Sequence, residues 1–111
     1  AAHLARDRRR QVASTVRIDE RLSIDFGRRA VLADGEEVSL TRKEYEICEL
    51  LVKHPNQTFD RDRIYELVWK EPGDGSVVTE HIRRLRRALA DAGGEKDRIK
   101  TVWGVGYRWQ A

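Results

Sequence analysis

The sequence predicts an α+β fold in which a small antiparallel sheet precedes three helices and a C-terminal β-hairpin. Short alternating apolar runs fill residues 16–40, and apolar residues recur at helical spacing through much of residues 41–90. Residues 100–109 are apolar and aromatic with two glycines, as in a tight hairpin. The 111 residues are enough for one core but too few for a typical enzyme with a deep cleft. We therefore expect a single small domain.

Residues 16–40 predict three or four strands. The apolar runs are Val16–Ile18, Leu22–Phe26 and Ala30–Leu32. Turn signals separate them at residues 19–20, 27 and 34–35. Asp34 and Gly35 form a good hairpin turn, because glycine adopts positive φ without strain. Nothing in this sheet suggests chemistry.

Two helices should follow the sheet. Thr41 and Glu44 match a capping box, so a helix is expected to begin there and to end at residues 54–57. Its apolar face consists of Tyr45, Cys48, Leu51 and Val52, joined by Ile47 and Leu50. Asp60 is expected to cap a second helix that runs to about Trp69. The inward residues predicted for it are Ile64, Leu67 and Val68.

A third helix is predicted from Ser76 to Ala90, with Ser76 as its N-cap. At 100° per residue, four apolar residues fall within about 60° of one another: Val78, Ile82, Leu85 and Leu89. The opposite side carries Ser76, Glu80, Arg83, Arg84, Arg87 and Asp91. Arginines directed away from the core are typical of a helix that lies in a phosphate-walled groove. A merely solvated basic face is the alternative.

The hairpin, or wing, completes the predicted fold. Gly104 and Gly106 would supply the backbone freedom for a tight tip within residues 100–109. Residues 70–75 contain Pro72 and two glycines, which predicts a loop before the third helix. Three helices followed by a two-stranded hairpin form a winged helix-turn-helix, in which the third helix would be the recognition helix.

Positive charge is concentrated at the two ends of the chain. Residues 1–11 carry four Arg and one Asp, and residues 76–111 carry eight Lys or Arg and four Asp or Glu. A basic face on an otherwise acidic body favours directed contact with a polyanion. No apolar run is long enough for a membrane span or a signal peptide, so we expect a cytoplasmic protein without a membrane partner. Cys48 is the only cysteine and is expected to be buried and reduced, and neither a metal nor a cofactor is expected.

Three segments closely resemble the effector domain of OmpR/PhoB-type response regulators from bacterial two-component systems. They are LTRKEYEICELLVKHPNQTFDRDRIYELVW from Leu40, VVTEHIRRLRRAL from Val77 and IKTVWGVGYRW from Ile99. The resemblance covers roughly residues 14–110 and implies an N-terminal four-stranded sheet. It implies that residues 14–111 are the winged-helix DNA-binding domain. Residues 1–13 would be an interdomain linker and the end of a missing receiver domain.

The resemblance also implies partners. Regulators of this type are phosphorylated on the receiver by a sensor histidine kinase and bind direct repeats in promoter DNA as tandem homodimers. The loop between the second and third helices touches RNA polymerase in such proteins. Here that loop would present Lys70, Glu71 and Asp74.

Base contacts are expected from three residues of the third helix. Arg84 can donate two hydrogen bonds to guanine O6 and N7, and it matches a base-contacting position of the family. Glu80 can accept from a cytosine amino group or form a helical salt bridge with Arg83 or Arg84, and both interpretations stay open. Thr79 lies on the flank of the same side.

Phosphate contacts are expected around these base contacts. His81, Arg83 and Arg87 would position the helix without encoding sequence. Arg86 points sideways and is at least as well suited to a structural ion pair. The resemblance adds Ser76, which stands where another member has a DNA-contacting arginine.

The wing and the end of the second helix should contribute further contacts. Thr101 and Tyr107 offer hydroxyl groups to phosphates, although Tyr107 is equally suited to packing beneath the wing. The Trp69 indole matches a position that reaches a phosphate, yet a large aromatic at a helix end often belongs to the core. Trp103 replaces a minor-groove arginine and would pack or stack instead. The other wing residues in the predicted site are Lys100, Gly104, Gly106 and Arg108.

Two other functions compete with DNA binding. Catalysis is not expected, because the three histidines are scattered and no nucleophile–base set or phosphate-cradling glycine loop occurs. The alternative to DNA binding is a protein-interaction module that uses the helix face to bind an acidic partner. Steep salt dependence and sequence preference would distinguish DNA binding from it.

Overall fold

The computed structural model describes residues 14–111, which form two small antiparallel sheets and three helices. The linker and receiver end expected at residues 1–13 lie outside the described residues. The elements, in chain order, are β1 (Thr15–Arg17), β2 (Leu22–Asp25), β3 (Ala30–Ala33), β4 (Glu36–Glu37), α1 (Arg42–Lys53), β5 (Thr58–Phe59), α2 (Arg61–Trp69), α3 (Ser76–Asp91), β6 (Ile99–Val102) and β7 (Gly106–Trp109). The predicted winged helix-turn-helix with an N-terminal four-stranded sheet is confirmed.

The first sheet has strand order β1-β2-β3-β4, and every neighbouring pair is antiparallel. Ala33 pairs with Glu36, so Asp34 and Gly35 form a two-residue turn with φ of 51° and 87°. Positive φ at both central residues matches the right-handed twist of the flanking strands. The predicted Asp34-Gly35 turn is therefore confirmed.

The caps of α1 and α2 are those that the sequence predicts. Thr41 Oγ1 accepts from the Glu44 amide at 3.2 Å, and Glu44 Oε1 accepts from the Thr41 amide at 3.1 Å. Asp60 Oδ1 accepts from the Arg63 amide at 2.8 Å. The inward prediction for Leu67 is wrong, since its side chain is 37% exposed. The buried side chains of this short helix are Ile64 and Val68, which lie one turn apart, and Leu67 lies outside the face that they form.

The N-terminus of α3 differs from the prediction. The N-cap is Gly75 rather than Ser76, and it offers no side-chain cap. Asp74 Oδ1 accepts from the Ser76 amide at 2.9 Å, while Asp62 on α2 accepts from the Gly75 amide at 2.8 Å. A Cβ at Gly75 would overlap the Arg61 backbone. Glycine is needed here because the first turn of α2 and the start of α3 meet.

The second sheet has order β5-β7-β6, so the wing has a third strand that the sequence did not predict. Phe59 on β5 pairs with Tyr107 on β7. The two wing glycines act differently from the prediction that both serve the tip. Gly104 has a φ of 77° in the turn, whereas a Cβ at Gly106 would overlap the Phe59 carbonyl. Gly106 thus permits the close approach of β5 and β7.

One core joins the two sheets and the helices. Its fully buried side chains include Ile24 and Val31 from the first sheet, Ile47 and Leu51 from α1, and Ile99 from β6. Cys48 is buried as predicted, and burial raises the pKa of its thiol to about 12. None of the helices in the described part of the chain has the length and apolar character needed to cross a bilayer.

Candidate nucleic-acid interface

The α3 helix separates an apolar face from a basic one. Val78, Ile82, Leu85 and Leu89 are all buried, which confirms the predicted stripe. On the opposite side Ser76, Thr79, Arg83, Arg84 and Arg87 are exposed. The packing of one face therefore directs the arginines away from the domain.

Glu80 forms salt bridges with two of these arginines. Its carboxylate accepts from Arg83 at 2.6 and 2.9 Å and from Arg84 Nε at 3.2 Å. The hydrogen bonds from Arg83, with smaller contributions from Arg84, lower the pKa of Glu80 to about 2. The helical salt bridges that the sequence offered as one interpretation of Glu80 are thus present in the free domain. Among residues 14–111, Arg87 has no hydrogen-bond or ion-pair partner.

His81 and Trp69 belong to an aromatic layer beside the basic face. Trp69 is half-buried, stacks on Tyr65 at 4.8 Å and meets the His81 ring edge-on at 5.2 Å. Lys43 Nζ lies 5.3 Å from the centre of the Trp69 ring. Packing of the Trp69 indole is the interpretation that the structure favours.

The hydrogen bond of His81 limits how it could bind a phosphate. Its Nδ1 lies 2.9 Å from the Val77 carbonyl oxygen, so Nδ1 carries the proton. The other ring nitrogen is an acceptor in the neutral imidazole. Phosphate oxygens only accept hydrogen bonds, so the Nδ1–H that already binds the Val77 carbonyl is not free for a phosphate.

Arg86 fastens α3 to the wing, as its sideways position suggested. It donates to the Ile99 carbonyl at 2.6 and 3.2 Å and to Thr101 Oγ1 at 2.9 Å. Its guanidinium also lies 5.6 Å from the centre of the Tyr107 ring and 3.4 Å from Asp97. The Thr101 hydroxyl oxygen is thereby hydrogen-bonded within the domain. Tyr107 is only 7% exposed, which agrees with packing beneath the wing.

The outer side of the wing remains open to a partner. Lys100 and Arg108 are paired across β6 and β7, so their side chains project from the same face of the sheet. Neither has a hydrogen-bond or ion-pair partner within the described residues. Trp103 at the tip is 90% exposed and does not pack on the domain.

A cleft runs between the wing and the first turns of α2 and α3. It is lined by Trp103, Thr79 and Arg61, and Arg61 Nη1 donates to Thr79 Oγ1 at 3.3 Å. Arg61 was not predicted from the sequence as a candidate site residue. Its place in the first turn of α2 was the available signal, because that turn meets the recognition helix in a helix-turn-helix.

The loop between α2 and α3 is held by its neighbours. Lys70 has a φ of 62° and ends α2, and the Tyr65 hydroxyl donates to Glu71 at 3.3 Å. Asp74 accepts from the Ser76 amide. Gly73 lies against the Tyr65 ring, where a Cβ would overlap it. Within residues 14–111, no three His, Cys, Asp or Glu side chains are placed to hold a metal ion.

The chain is similar to transcriptional regulators over most of its length. The family described as "Transcriptional regulatory protein, C terminal" matches residues 35–109. Transcriptional regulatory protein SpaR of Bacillus subtilis is 39% identical over 111 residues, covering 98% of this chain and 49% of SpaR. The chain thus spans about half the length of that relative.

Two solved structures share its fold. Response regulator DrrB, described as a Thermotoga maritima OmpR/PhoB homolog, matches with a TM-score of 0.75 and 31% identity, over 88% of this chain and 45% of DrrB. The DNA-binding domain of Klebsiella pneumoniae RstA, solved in complex with the RstA box, matches with a TM-score of 0.71 and 34% identity, over 86% of this chain and 96% of that one. With the four-stranded sheet, the three helices and the wing, these matches show that the chain belongs to the OmpR/PhoB-type family of transcriptional regulatory protein C-terminal domains.

Proposed function

We propose that residues 14–111 bind double-stranded promoter DNA with sequence specificity, as the effector domain of a two-component response regulator. In this proposal α3 lies in the major groove and the wing lies along the adjacent minor groove or its phosphates. The observation that carries it is the two-sided α3 helix, with its apolar face buried and three arginines on the face turned to solvent. A protruding helix with this face has the width and charge that the major groove accepts.

The proposed roles follow from the surroundings of each side chain. Arg84 reads a base edge, with Thr79 and Glu80 beside it. The phosphate contacts on the helices are Ser76, His81, Arg83 and Arg87, and those on the wing are Thr101, Lys100 and Arg108. Trp69 and Tyr107 would support these contacts by packing, because Trp69 stacks on Tyr65 and Tyr107 is buried beneath the wing. Of the three arginines on the outer face of α3, Arg87 needs no rearrangement to meet a phosphate, because it has no partner in the described domain. Glu80 must release or share Arg84 for a bidentate base contact.

In the intact regulator this domain would act together with other proteins and a second copy of itself. Lys70, Glu71 and Asp74 would face RNA polymerase, and a sensor histidine kinase would act through a receiver domain in the same polypeptide. Two copies would bind direct repeats in tandem, in the cytoplasm. The domain itself would have no catalytic role.

Selection of bound sequences from a random duplex library tests this function, followed by titration of the selected duplex at two salt concentrations. We expect a direct repeat with half-sites about 10 to 11 bp apart, bound with a steep negative slope of log affinity against log salt. An unselected duplex of equal length is the control. Absence of any enriched sequence together with a flat salt dependence would favour the rival function, an interaction module for an acidic protein.

A further inference from the structure

The tip of the wing carries the most exposed large apolar side chain of the described residues. Trp103 is 90% exposed, and Val105 beside it is 56% exposed. The tip is an ordered turn, in which the Val105 amide donates to the Val102 carbonyl at 2.9 Å and Gly104 has a φ of 77°. An indole held outward on such a turn adds nothing to the core of its own domain. Its surface is available to a partner.

The position of Trp103 favours DNA as that partner. The indole lines the same cleft as Thr79 on α3 and Arg61 on α2, so the tip and the start of the recognition helix share one side of the molecule. Arg86 holds the base of the wing to α3 through Ile99 and Thr101, which sets the spacing between helix and tip. In the binding mode proposed above, α3 lies in a major groove and the wing lies along the adjacent minor groove, which directs the tip at that minor groove.

We propose that the Trp103 indole, which the sequence led us to expect only to pack or stack, enters this minor groove and selects A·T over G·C at one base pair, an inference that rests on the DNA-binding function proposed above. The minor-groove edge of an A·T pair presents only acceptors, adenine N3 and thymine O2. The indole Nε1–H is a donor. A G·C pair adds the guanine amino group, a second donor that opposes the indole N–H. The ring also loses exposed apolar surface against the deoxyriboses.

The test compares three base pairs at the position beneath the wing, in the duplex selected by the 111-residue chain. Each A·T pair outside the α3 site is first changed to G·C, to find the sensitive position. That pair is then changed to inosine·cytosine, which has the major-groove edge of G·C but lacks the minor-groove amino group. We expect G·C to weaken binding by roughly 3- to 10-fold and inosine·cytosine to restore it.

Two variants assign the preference to the indole. Trp103→Phe keeps an aromatic ring but removes the donor, and it should bind the three duplexes within about twofold of one another. Val105→Ala removes apolar surface from the same tip and should keep the wild-type preference. Iodide quenching adds an optical readout, because Trp109 is buried and Trp69 half-buried whereas Trp103 is exposed. Bound DNA should protect the accessible fluorescence of the wild type but not of Trp103→Phe.

Several results would overturn this proposal. They are equal binding of the wild type to all three duplexes, full discrimination by Trp103→Phe, and unprotected fluorescence in the complex. An effect of Trp103→Phe that occurs only on duplexes with two half-sites would assign the indole to a second copy of the chain. In each case, a selected sequence bound with steep salt dependence would leave the proposed function intact. Loss of that selection would instead remove the function itself.

Discussion

The three arginines on the outer face of α3 differ in how firmly the domain holds them. Arg83 makes two hydrogen bonds with Glu80, Arg84 makes one, and Arg87 makes none with residues 14–111. A side chain already bound must exchange that partner for DNA. The difference provides a way to separate base reading from phosphate contact.

Arg84→Ala should cost about 1 to 3 kcal/mol of binding free energy on the selected duplex and flatten discrimination at one base pair. Arg87→Ala should weaken the selected and random duplexes alike and reduce the salt slope by about one. Titration of both variants on both duplexes at several salt concentrations checks this. An equal loss on random DNA would move Arg84 to the phosphate contacts.

Glu80→Gln should raise affinity for random DNA by about 2- to 5-fold, since a carboxylate beside phosphates is repulsive and restrains two arginines. The pKa of Glu80, about 2, lies below its ordinary value of 4.5, so its ion pairs are complete above about pH 4.5 and are lost only as pH falls through about 2. The effect of the variant should therefore stay constant between about pH 5 and 8. Glu66→Gln is the control, because Glu66 pairs with Arg63 at 3.2 Å with the same spacing on α2. Unchanged affinity for random DNA would contradict this account.

At the scale of elements, Arg86 links the recognition helix to the wing. Its side chain is 29% exposed and binds a β6 carbonyl and a β6 hydroxyl, and it lies over the Tyr107 ring of β7. Hydrogen bonds from a charged group in a partly buried setting are stronger than those at an open surface. Arg86 thus adds a polar link between α3 and the wing to the apolar core that the two elements share.

Arg86→Ala should lower the free energy of unfolding by about 2 kcal/mol, because the Ile99 carbonyl loses a charged donor. Arg63→Ala is the matched control, since its pair with Glu66 is exposed and should be worth less than about 0.5 kcal/mol. Urea denaturation followed by circular dichroism measures both. Under conditions where Arg86→Ala is folded, weaker DNA binding would indicate a misplaced wing, whereas wild-type stability and affinity would exclude the fastening role.

At the scale of the whole molecule, Asp19 links the first sheet to the loop before the wing. Its carboxylate accepts from the amides of Arg21 and Leu22 at 3.1 Å and from that of Glu95 at 3.2 Å. Partial burial alone would raise the pKa of Asp19, but the amides of Glu95, Leu22 and Arg21 lower it below 3.8. Ionisation of this carboxylate therefore adds to the stability of the fold.

Asp19→Asn should lower the free energy of unfolding by about 1 kcal/mol at neutral pH, because the amide group retains only one accepting atom. A lowered pKa contributes stability above pH 3.8 that is lost as pH falls through the folded value, so the difference should shrink in acid. Denaturation of both proteins across pH measures it. Asp25→Asn, which removes a charge within one local turn, is the control. A pH-independent difference would contradict the role of ionisation.

The sequence by itself determined the features that depend on neighbours along the chain. The capping box of Thr41 and Glu44, the Asp60 cap and the Asp34-Gly35 turn each act within a few residues, and all are present. The α3 stripe was predictable for the same reason, since helical periodicity alone brings its apolar residues to one face. The order of the N-terminal sheet, the three helices and the hairpin follows directly from these local patterns, and so do the outward arginines.

Only the tertiary structure decided the features that depend on distant segments. The two-residue strand β5 exists because Gly106 lets β7 approach Phe59, and a segment so short has no periodicity of its own. Gly75 begins α3 because the Arg61 backbone lies against it. The Arg86 contact spans thirteen residues of sequence. Periodicity shows which side of an element is apolar, but it does not show which neighbour covers that side. The contacts of Gly106, Gly75 and Arg86 depend on which elements pack together, so the sequence alone could not predict them.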